Sequence, residues 1–494
     1  MICTKLNVIA TWPRSKVAET EQNSPALHNR SENADAHEHK RTDAPARNIN
    51  REVCVFIVGL FVLAELFSIV TPPFQSPDEF SHVKRAYLLG KGIVLVNERR
   101  LETGGLIDEG LLYYMSCFSQ LPFDYTKKGG RQISPDCQSV GFARSERFSG
   151  LPNTALYFPL PYLPQALALI SGEHLGWRLA TTYYLARFLA LVTTLGILWW
   201  AFFIYPAPPV SMALLILPMS VFQLASASLD AVTFALSALV AALFLRGMNK
   251  DRAFNTSMHA ALALVILLLA TSRIVYVSLV LLLFTISWRR RSWPFAISGL
   301  VVVVLSLSWF GYVLKNVHEL DAHVWGGSGL SSTAIAMFYL RSPGSLAAVF
   351  WRTLSDSNLL LWHWRSFVGI LGWLDTPLDS GVYLLVGMLL LSIATISVIW
   401  GKPFGDRLSS TTLAVTSLVS LFLVFFLALV GWTAHPANTI YVQGRYFYPP
   451  GILLAYAMAP RVGTSGRKLS LYGAPLMAII CVADAIPKLL YRYH

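Results

Sequence analysis

The residue types best suited to chemistry gather at Ser76-Pro77-Asp78-Glu79, directly after the first long apolar run, Val53 to Val70. Carboxylates at the rim of a bilayer are costly unless they are solvated, paired or used. Glu79 completes a Ser-x-x-Glu capping box, with Ser76 as N-cap and Pro77 at the first helical position, so a structural role stands beside a functional one for this residue. Asp78 is not required by the box. On the helix that starts here, Asp78, His82 and Arg85 recur at i, i+4 and i+7 and share one face; Phe80, Val83 and Tyr87 form an apolar stripe opposite, and Gly90 and Gly92 supply the stop. The pattern predicts a short amphipathic helix lying along the outer membrane surface. Its polar face is either simply solvated or carries a working carboxylate, imidazole and guanidinium. In the second case Asp78 has the chemistry of a general base, and Asp78 with Glu79 could share a divalent metal ion.

A second constellation, Gln443-Gly444-Arg445-Tyr446-Phe447-Tyr448, sets one arginine among aromatic side chains just before another apolar run. Arginine grips phosphate in a fork, and interfacial aromatics hold sugars or apolar chains. Arg445, Tyr446 and Gln443 therefore suit the phosphate of a lipid-linked substrate, with Arg85 as a further candidate; a snorkelling anchor is the plainer reading. Asp230, in Ser226-Ala227-Ser228-Leu229-Asp230, lies between two apolar runs, where a carboxylate is a functional candidate by default and a helix cap is the competing role. Arg187 and Arg273, beside or within apolar runs, can each pair with a carboxylate. In Gly372-Trp373-Leu374-Asp375-Thr376-Pro377-Leu378-Asp379, Thr376 reads as an N-cap with Pro377 at the first position and Asp379 three residues on, which leaves Asp375 the freer carboxylate. His318, Glu319, Asp321 and His323 are metal-ligand types at a nonspecific spacing. No Walker loop, dinucleotide fingerprint, Cys-x-x-Cys pair or Gly-x-Ser-x-Gly motif occurs, so soluble nucleotide-driven chemistry has no visible site.

These residues must be positioned by a chain of 494 residues that is 54% hydrophobic and 13% charged. A soluble domain carries roughly twice that charged fraction. Apolar runs begin at Val53, Ala155, Tyr183, Met212, Ala231, Met258, Ile274, Pro294, Val382, Leu413, Tyr446 and Leu471. They predict an all-α polytopic membrane protein with roughly 11–12 transmembrane helices. The run Ala155 to Ile170 holds Pro159, Pro161 and Pro164 and reads as interfacial or re-entrant. The net charge of +12 sits in short clusters around Arg246, Arg289, Lys402 and Arg461. Such clusters mark cytoplasmic loops, not nucleic-acid contacts. With them inside, two large loops, 71–153 and 315–380, lie outside. Residues 1–50 are polar and aperiodic and read as a disordered cytoplasmic tail without a signal-peptide core, preceding a membrane domain over 51–490. His28, His37 and His39 in that tail match no metal spacing. Cys54 and Cys481 fall in apolar runs and act as small hydrophobes. Cys117 and Cys137 share the first loop, where a disulfide fits an extracytoplasmic setting.

The motif order is a span, then Pro77-Asp78-Glu79 with His82 four residues after the aspartate, then Arg85-Ala86. Later come Tyr157-Phe158-Pro159-Leu160-Pro161-Tyr162-Leu163-Pro164, Ala186-Arg187, Ser226-x-Ser228-x-Asp230, Leu371-Gly372-Trp373-Leu374-Asp375 and Gln443-Gly444-Arg445-Tyr446. This order resembles a bacterial multi-pass membrane family known only as a domain of unknown function, which looks like a branch of the glycosyltransferase C superfamily. The resemblance implies a glycosyltransferase-C-like fold in the bacterial cytoplasmic membrane, with the N-terminus cytoplasmic. It further implies transfer of a sugar from a polyprenyl-phosphate-linked donor to a glycan, lipid or protein acceptor on the outer face. In that superfamily an acidic residue of the first outer loop serves the catalytic centre; carried over, it falls on Asp78 or Glu79. Two other functions fit the same residues. A transporter or translocase of lipid-linked sugars needs intramembrane charges and broken helices in corresponding halves. A noncatalytic partner in envelope polysaccharide assembly tolerates the loss of Asp78.

Overall fold

A computed structural model describes residues 31–99, 102–129, 134–151, 153–317, 330–399, 402–403, 407–458, 460–461 and 464–494, without the side chains of 31–50, 97–99, 402–403 and 460–472. The chain divides into two units, residues 1–59 and 60–494. In the first, a helix spanning Ser31–Val70 begins well before the apolar run. Residues 31–50 of the expected unstructured tail are thus helical, and residues 1–30 lie outside the described residues. Extending a helix that already exists adds one hydrogen bond per residue fixed, so a polar sequence can continue it without an apolar face.

The second unit makes the chain an all-α polytopic membrane protein. Among the described residues, seven helices are long and apolar enough to cross a bilayer: Arg51–Val70, Leu179–Ile204, Asp230–Met248, Trp293–Asn316, Ser380–Ile399, Arg407–Gly431 and Gly473–Tyr493. The other apolar runs are helical too, but shorter or interrupted. Leu163–Leu175 has 13 residues, roughly 20 Å at 1.5 Å per residue, less than a hydrocarbon core. Pro218 divides one run into Pro209–Ile216 and Pro218–Leu224, as a proline without an N–H must. Thr256–Ser272 stops at an extended Arg273, and a 3-10 turn, Ile274–Leu279, resumes the path into Val280–Arg290. A second 3-10 turn, Gly444–Phe447, leads into Tyr448–Ala457.

Asp230–Met248 is the central helix. Of its most apolar window 94% is buried, against 22% for Trp293–Asn316 and Ser380–Ile399. It is apolar all round, as a helix packed on every side must be, and lies against Leu179–Ile204, Thr256–Ser272 and Tyr448–Ala457.

The loop 71–153 is a folded layer. Three antiparallel strands, Asn97–Arg99, Glu102–Asp108 and Glu146–Gly150, pair in that order. The helix Glu109–Ser116 is capped by Asp108, whose carboxylate also accepts the N–H groups of Ala143 and Arg144. Cys117 and Cys137 form a disulfide. Phe74, Val83, Tyr87, Ile107, Leu111 and Tyr114 build the layer's apolar core. The helix Glu79–Gly90 lies inside this layer, with Ser81, His82 and Arg85 buried as well as Val83 and Tyr87. It is therefore not the half-solvated surface helix its amphipathic spacing suggests: Tyr157, the 3-10 turn Leu160–Tyr162 and the helix Leu163–Leu175 cover its polar face.

In the second loop, helices Ser332–Arg341, Pro343–Ser355 and Ser357–Gly369 precede a short pairing of Ile370–Leu371 with Thr376–Pro377. Thr376 is not an N-cap. Its hydroxyl donates to Asp375 Oδ1 at 3.0 Å, and the next helix begins at Ser380. Asp379 instead pairs with Lys488 at 2.6 Å. His318, Glu319, Asp321, His323 and His28 lie outside the described residues, and the side chains of His37 and His39 do so too.

Candidate functional site

Asp78, Asp230, Arg273 and Arg445 each stand at a helix start or break. The chain leaves the first span through Thr71-Pro72-Pro73, and the following helix starts at Glu79, two residues later than Pro77 predicts. The cause is Asp78, whose backbone is left-handed, φ 63° and ψ 4°. That conformation cannot belong to a right-handed helix, and it costs about 1 kcal/mol in a residue with a β-carbon, least in Asp and Asn. Half of the capping box forms. Glu79 Oε2 accepts the Ser76 N–H at 3.2 Å, but the Ser76 hydroxyl donates to Gln223 Oε1 at 3.2 Å.

Glu79 is fully enclosed. Oε1 accepts from the Tyr183 hydroxyl at 2.7 Å, the Ala227 N–H at 2.7 Å and Arg187 Nε at 3.3 Å; Oε2 accepts from Arg187 Nη2 at 3.3 Å as well as Ser76. Arg187 spends its remaining donors on the carbonyls of Ser68, Thr71 and Pro72. The knot ties the first span, the loop and the Leu179–Ile204 helix together. Arg187 thus has the carboxylate partner expected of it, and Glu79 has no lone pair left to offer.

Asp78 faces the other way. Its Oδ2 pairs with Arg445 Nη2 across most of the chain, and Asn153 Nδ2 donates to Oδ1 at 3.2 Å. Arg445 Nη1 donates to the Pro77 carbonyl at 2.9 Å and lies 3.3 Å from Asp230 Oδ2. Arg273 Nη2 closes the row on Asp230 Oδ1. The result is an alternating line, Asp78, Arg445, Asp230, Arg273, formally neutral. Aromatic faces flank it: the Arg273 guanidinium lies 4.7 Å from the Tyr446 ring and 5.4 Å from Tyr157, and that of Arg445 lies 5.3 Å from Tyr446. Such stacking suits a desolvated guanidinium.

Local sequence explains the placement. Gly444 carries no side chain because a β-carbon there would collide with the backbone of Phe367. Its N–H donates to Ser366 Oγ at 3.0 Å, so this close approach sets the turn that aims Arg445. Ser226 and Ser228 share a hydrogen bond of 2.8 Å, and Ser228 Oγ donates to Gln223 Oε1 at 3.0 Å. They shape the bend from which Asp230 emerges as the first helical residue. Asp230 is not a cap, since the N-cap position is Leu229 and no side chain caps it.

Arg445 and Asp230 are buried, whereas 22% of the Asp78 side chain is exposed. Asn153, Tyr157 and Tyr446, which touch the row, are half-buried, as is Gln443. Burial works most strongly, to raise the Asp78 carboxyl, and the charge and hydrogen bond of Arg445 together with His82 outweigh it, holding the group below the usual carboxylate range. His82 shares a hydrogen bond of 2.6 Å with the Tyr162 hydroxyl and stacks at 6.3 Å on Tyr157. Burial pushes its imidazole down to about 4, so it is neutral at physiological pH.

Arg85, expected at the same centre, is used elsewhere. Its Nη2 donates to the carbonyls of Val94 at 2.8 Å and Tyr157 at 3.2 Å, one brought to the buried face of its helix by the loop that follows and one by the segment leading into the turn Leu160–Tyr162. Asp375 also stands apart. Arg492 Nη2 pairs with its Oδ2 at 2.9 Å, and the Phe123 N–H donates to the same oxygen at 3.0 Å. A metal shared by Asp78 and Glu79 does not fit: the two carboxylates are committed to different guanidinium groups, and Glu79 is saturated. Among the described residues, no three of His, Cys, Asp and Glu cluster at metal-binding range.

Reading the sequence undervalued Arg273, a charge at the edge of an apolar run, and missed Asn153 and Tyr162, whose types carry no signal. It also passed over Glu65, an acidic residue inside the first span. Glu65 lines a cleft of about 90 Å³ with Ser68, Tyr184 and Arg187, and its presence within an apolar run was itself a clue.

No curated protein and no solved structure matches the chain. Residues 60–454 match the family described as "Predicted membrane protein (DUF2142)", and the chain belongs to that family.

Proposed function

We propose that this protein is a membrane glycosyltransferase of the glycosyltransferase C type, moving a sugar from a polyprenyl-phosphate-linked donor to a glycan, lipid or protein acceptor on the extracytoplasmic face of the bacterial cytoplasmic membrane. The observation that carries the reading is the contact of Asp78 with Arg445. These two residues, far apart in sequence, are the ones such a reaction asks for, a base and a phosphate partner. The Cys117–Cys137 disulfide supports placing the loop 71–153 on the oxidising side, with the N-terminus on the other.

In this reading Asp78 takes the proton of an acceptor hydroxyl as the oxygen attacks the anomeric carbon. The bond from that carbon to the phosphate oxygen breaks, and its electron pair leaves with polyprenyl phosphate. One displacement inverts the sugar. The proton removes a negative charge from Asp78 as the departing phosphate gains one, so the combined charge of the row and the phosphate is unchanged. Arg445 links the two events: as its charge is drawn to the leaving phosphate, it releases Asp78 to become a stronger base. His82, neutral and held by Tyr162, lies behind Asp78 as a positioning group.

Helix breaks at Leu217, Arg273 and Gln443 favour a second reading, translocation of a lipid-linked sugar, because discontinuous helices also build transporter sites. The test is purified protein in detergent with a panel of polyprenyl-phosphate sugars labelled in the sugar, plus vesicle transport of the same lipids. Label appearing in a new glycoside, with stoichiometric polyprenyl phosphate, supports the transferase. Movement of intact donor across the vesicle without cleavage supports the translocase and removes the transferase.

A further inference from the structure

We infer that Arg273 is the principal anchor for the phosphate group of the lipid-linked ligand, ahead of Arg445. The inference rests on the site being one for prenyl-phosphate sugars, and it assigns the anion to a residue set by donor accounting. Arg445 has little left to give. Its Nη1 donates to the Pro77 carbonyl and lies 3.3 Å from Asp230 Oδ2, which accepts no hydrogen bond; its Nη2 serves Asp78, and Nε lacks a partner. Arg273 has one partner, Asp230, through Nη2, while both Nε and Nη1 are buried without a hydrogen bond. The Tyr276 hydroxyl stands close to Arg273 but is itself without a hydrogen bond of acceptable geometry. A buried, charged donor left unmatched is expensive, and two on one guanidinium call for a strong acceptor.

Three further features suit a phosphate. Arg273 sits in the extended gap between Thr256–Ser272 and the turn Ile274–Leu279, so its side chain leaves the chain where no helix bond competes for it. Two helices, Glu79–Gly90 and Asp230–Met248, begin at Asp78 and Asp230, placing their electropositive ends at the row. Tyr446 and Tyr157 stack on the guanidinium and keep partial exposure, which gives an apolar, half-open wall for a prenyl chain or a sugar. Arginine suits this position because its planar fork holds Asp230 at one edge and presents further N–H groups in fixed directions, whereas a lysine ammonium is a compact point charge on a flexible stem.

The experiment titrates farnesyl phosphate, inorganic phosphate and farnesol into full-length protein in detergent, followed by tryptophan fluorescence, for wild type, Arg273→Lys and Arg445→Lys. Farnesyl phosphate is expected to bind saturably to wild type, about tenfold or more weaker to Arg273→Lys, and less than about threefold weaker to Arg445→Lys. Inorganic phosphate should compete weakly and farnesol not at all, which separates a prenyl phosphate from the free anion and from the chain alone. If Arg273→Lys is not monodisperse, Asp230→Asn with Arg273→Gln removes the pair together and carries the same expectation. Equal affinity in wild type and Arg273→Lys, a larger loss in Arg445→Lys, or equal competition by farnesol overturns the inference. Normal sugar transfer with unaltered farnesyl phosphate binding in Arg273→Lys ends this inference alone. Binding that depends on Arg273 in a protein that transfers no sugar upholds the anion site and ends the transferase reading.

Discussion

Glu79 gives both of its oxygens to donors from the Leu179–Ile204 helix, the 226–229 bend and its own loop, while Asp78, one residue earlier, keeps part of its surface open and leans on a single guanidinium. The two carboxylates share a peptide bond and point to opposite kinds of work. A saturated carboxylate cannot accept a proton or a ligand without giving up a bond it already has, so it fastens. A carboxylate with one exchangeable partner, an exposed edge and a strained backbone can change state. The same contrast separates Arg187, all of whose nitrogens are used, from Arg273, with two nitrogens unmatched. Completeness of hydrogen bonding thus sets the Glu79–Arg187 pair apart from the row of Asp78, Arg445, Asp230 and Arg273 where burial does not, since both are largely buried.

The contrast can be broken experimentally, beginning with the fastened side. Glu79→Gln leaves the Arg187 charge buried with its carboxylate gone and should lower stability by roughly 3–5 kcal/mol, read as a large fall in the thermal unfolding midpoint in detergent. A midpoint within error of wild type would place Glu79 among the dispensable groups. The next effect is a pH dependence. His82 titrates near 4 folded, against an ordinary 6.5, so between those values the unfolded chain binds more protons than the folded one. Stability is therefore complete above about pH 6.5 and falls as the pH drops toward 4, at no more than about 1.4 kcal/mol per pH unit. His82→Gln, which can still bond Tyr162, should flatten that slope; an unchanged slope would show that another group causes it. Gly444→Ala forces the turn off Phe367 and should cost about 1–3 kcal/mol, with a matching loss of any activity that needs Arg445. The smallest effect belongs to Asp379→Asn, whose exposed pair with Lys488 should leave the midpoint unmoved.

Much of this was legible in the residues. The apolar runs beginning at Val53, Tyr183, Ala231, Pro294, Val382, Leu413 and Leu471 became the seven long helices, because hydropathy and length are enough for a helix in lipid. Asp78 and Arg445 stood out by type and by their place beside apolar runs, and the fold brings them into contact. The rest depended on tertiary choices that no local pattern records. The left-handed turn at Asp78 moved the helix start from Pro77 to Glu79. The packing of Tyr157 and the helix Leu163–Leu175 against Glu79–Gly90 helped bury Arg85, whose i+7 spacing marked a shared face but not which side would be covered. Arg273 looked like a counter-ion, and only the fold shows how little of its donor capacity Asp230 takes up.

The central claim is that Asp78 is used and Glu79 only holds. It is tested most directly on one preparation of Asp78→Asn, by measuring sugar transfer from polyprenyl-phosphate donors alongside the thermal midpoint. Asparagine tolerates the left-handed backbone, so the account predicts a midpoint near wild type with transfer reduced at least about a hundredfold. Transfer at the wild-type rate in a folded Asp78→Asn protein would contradict it.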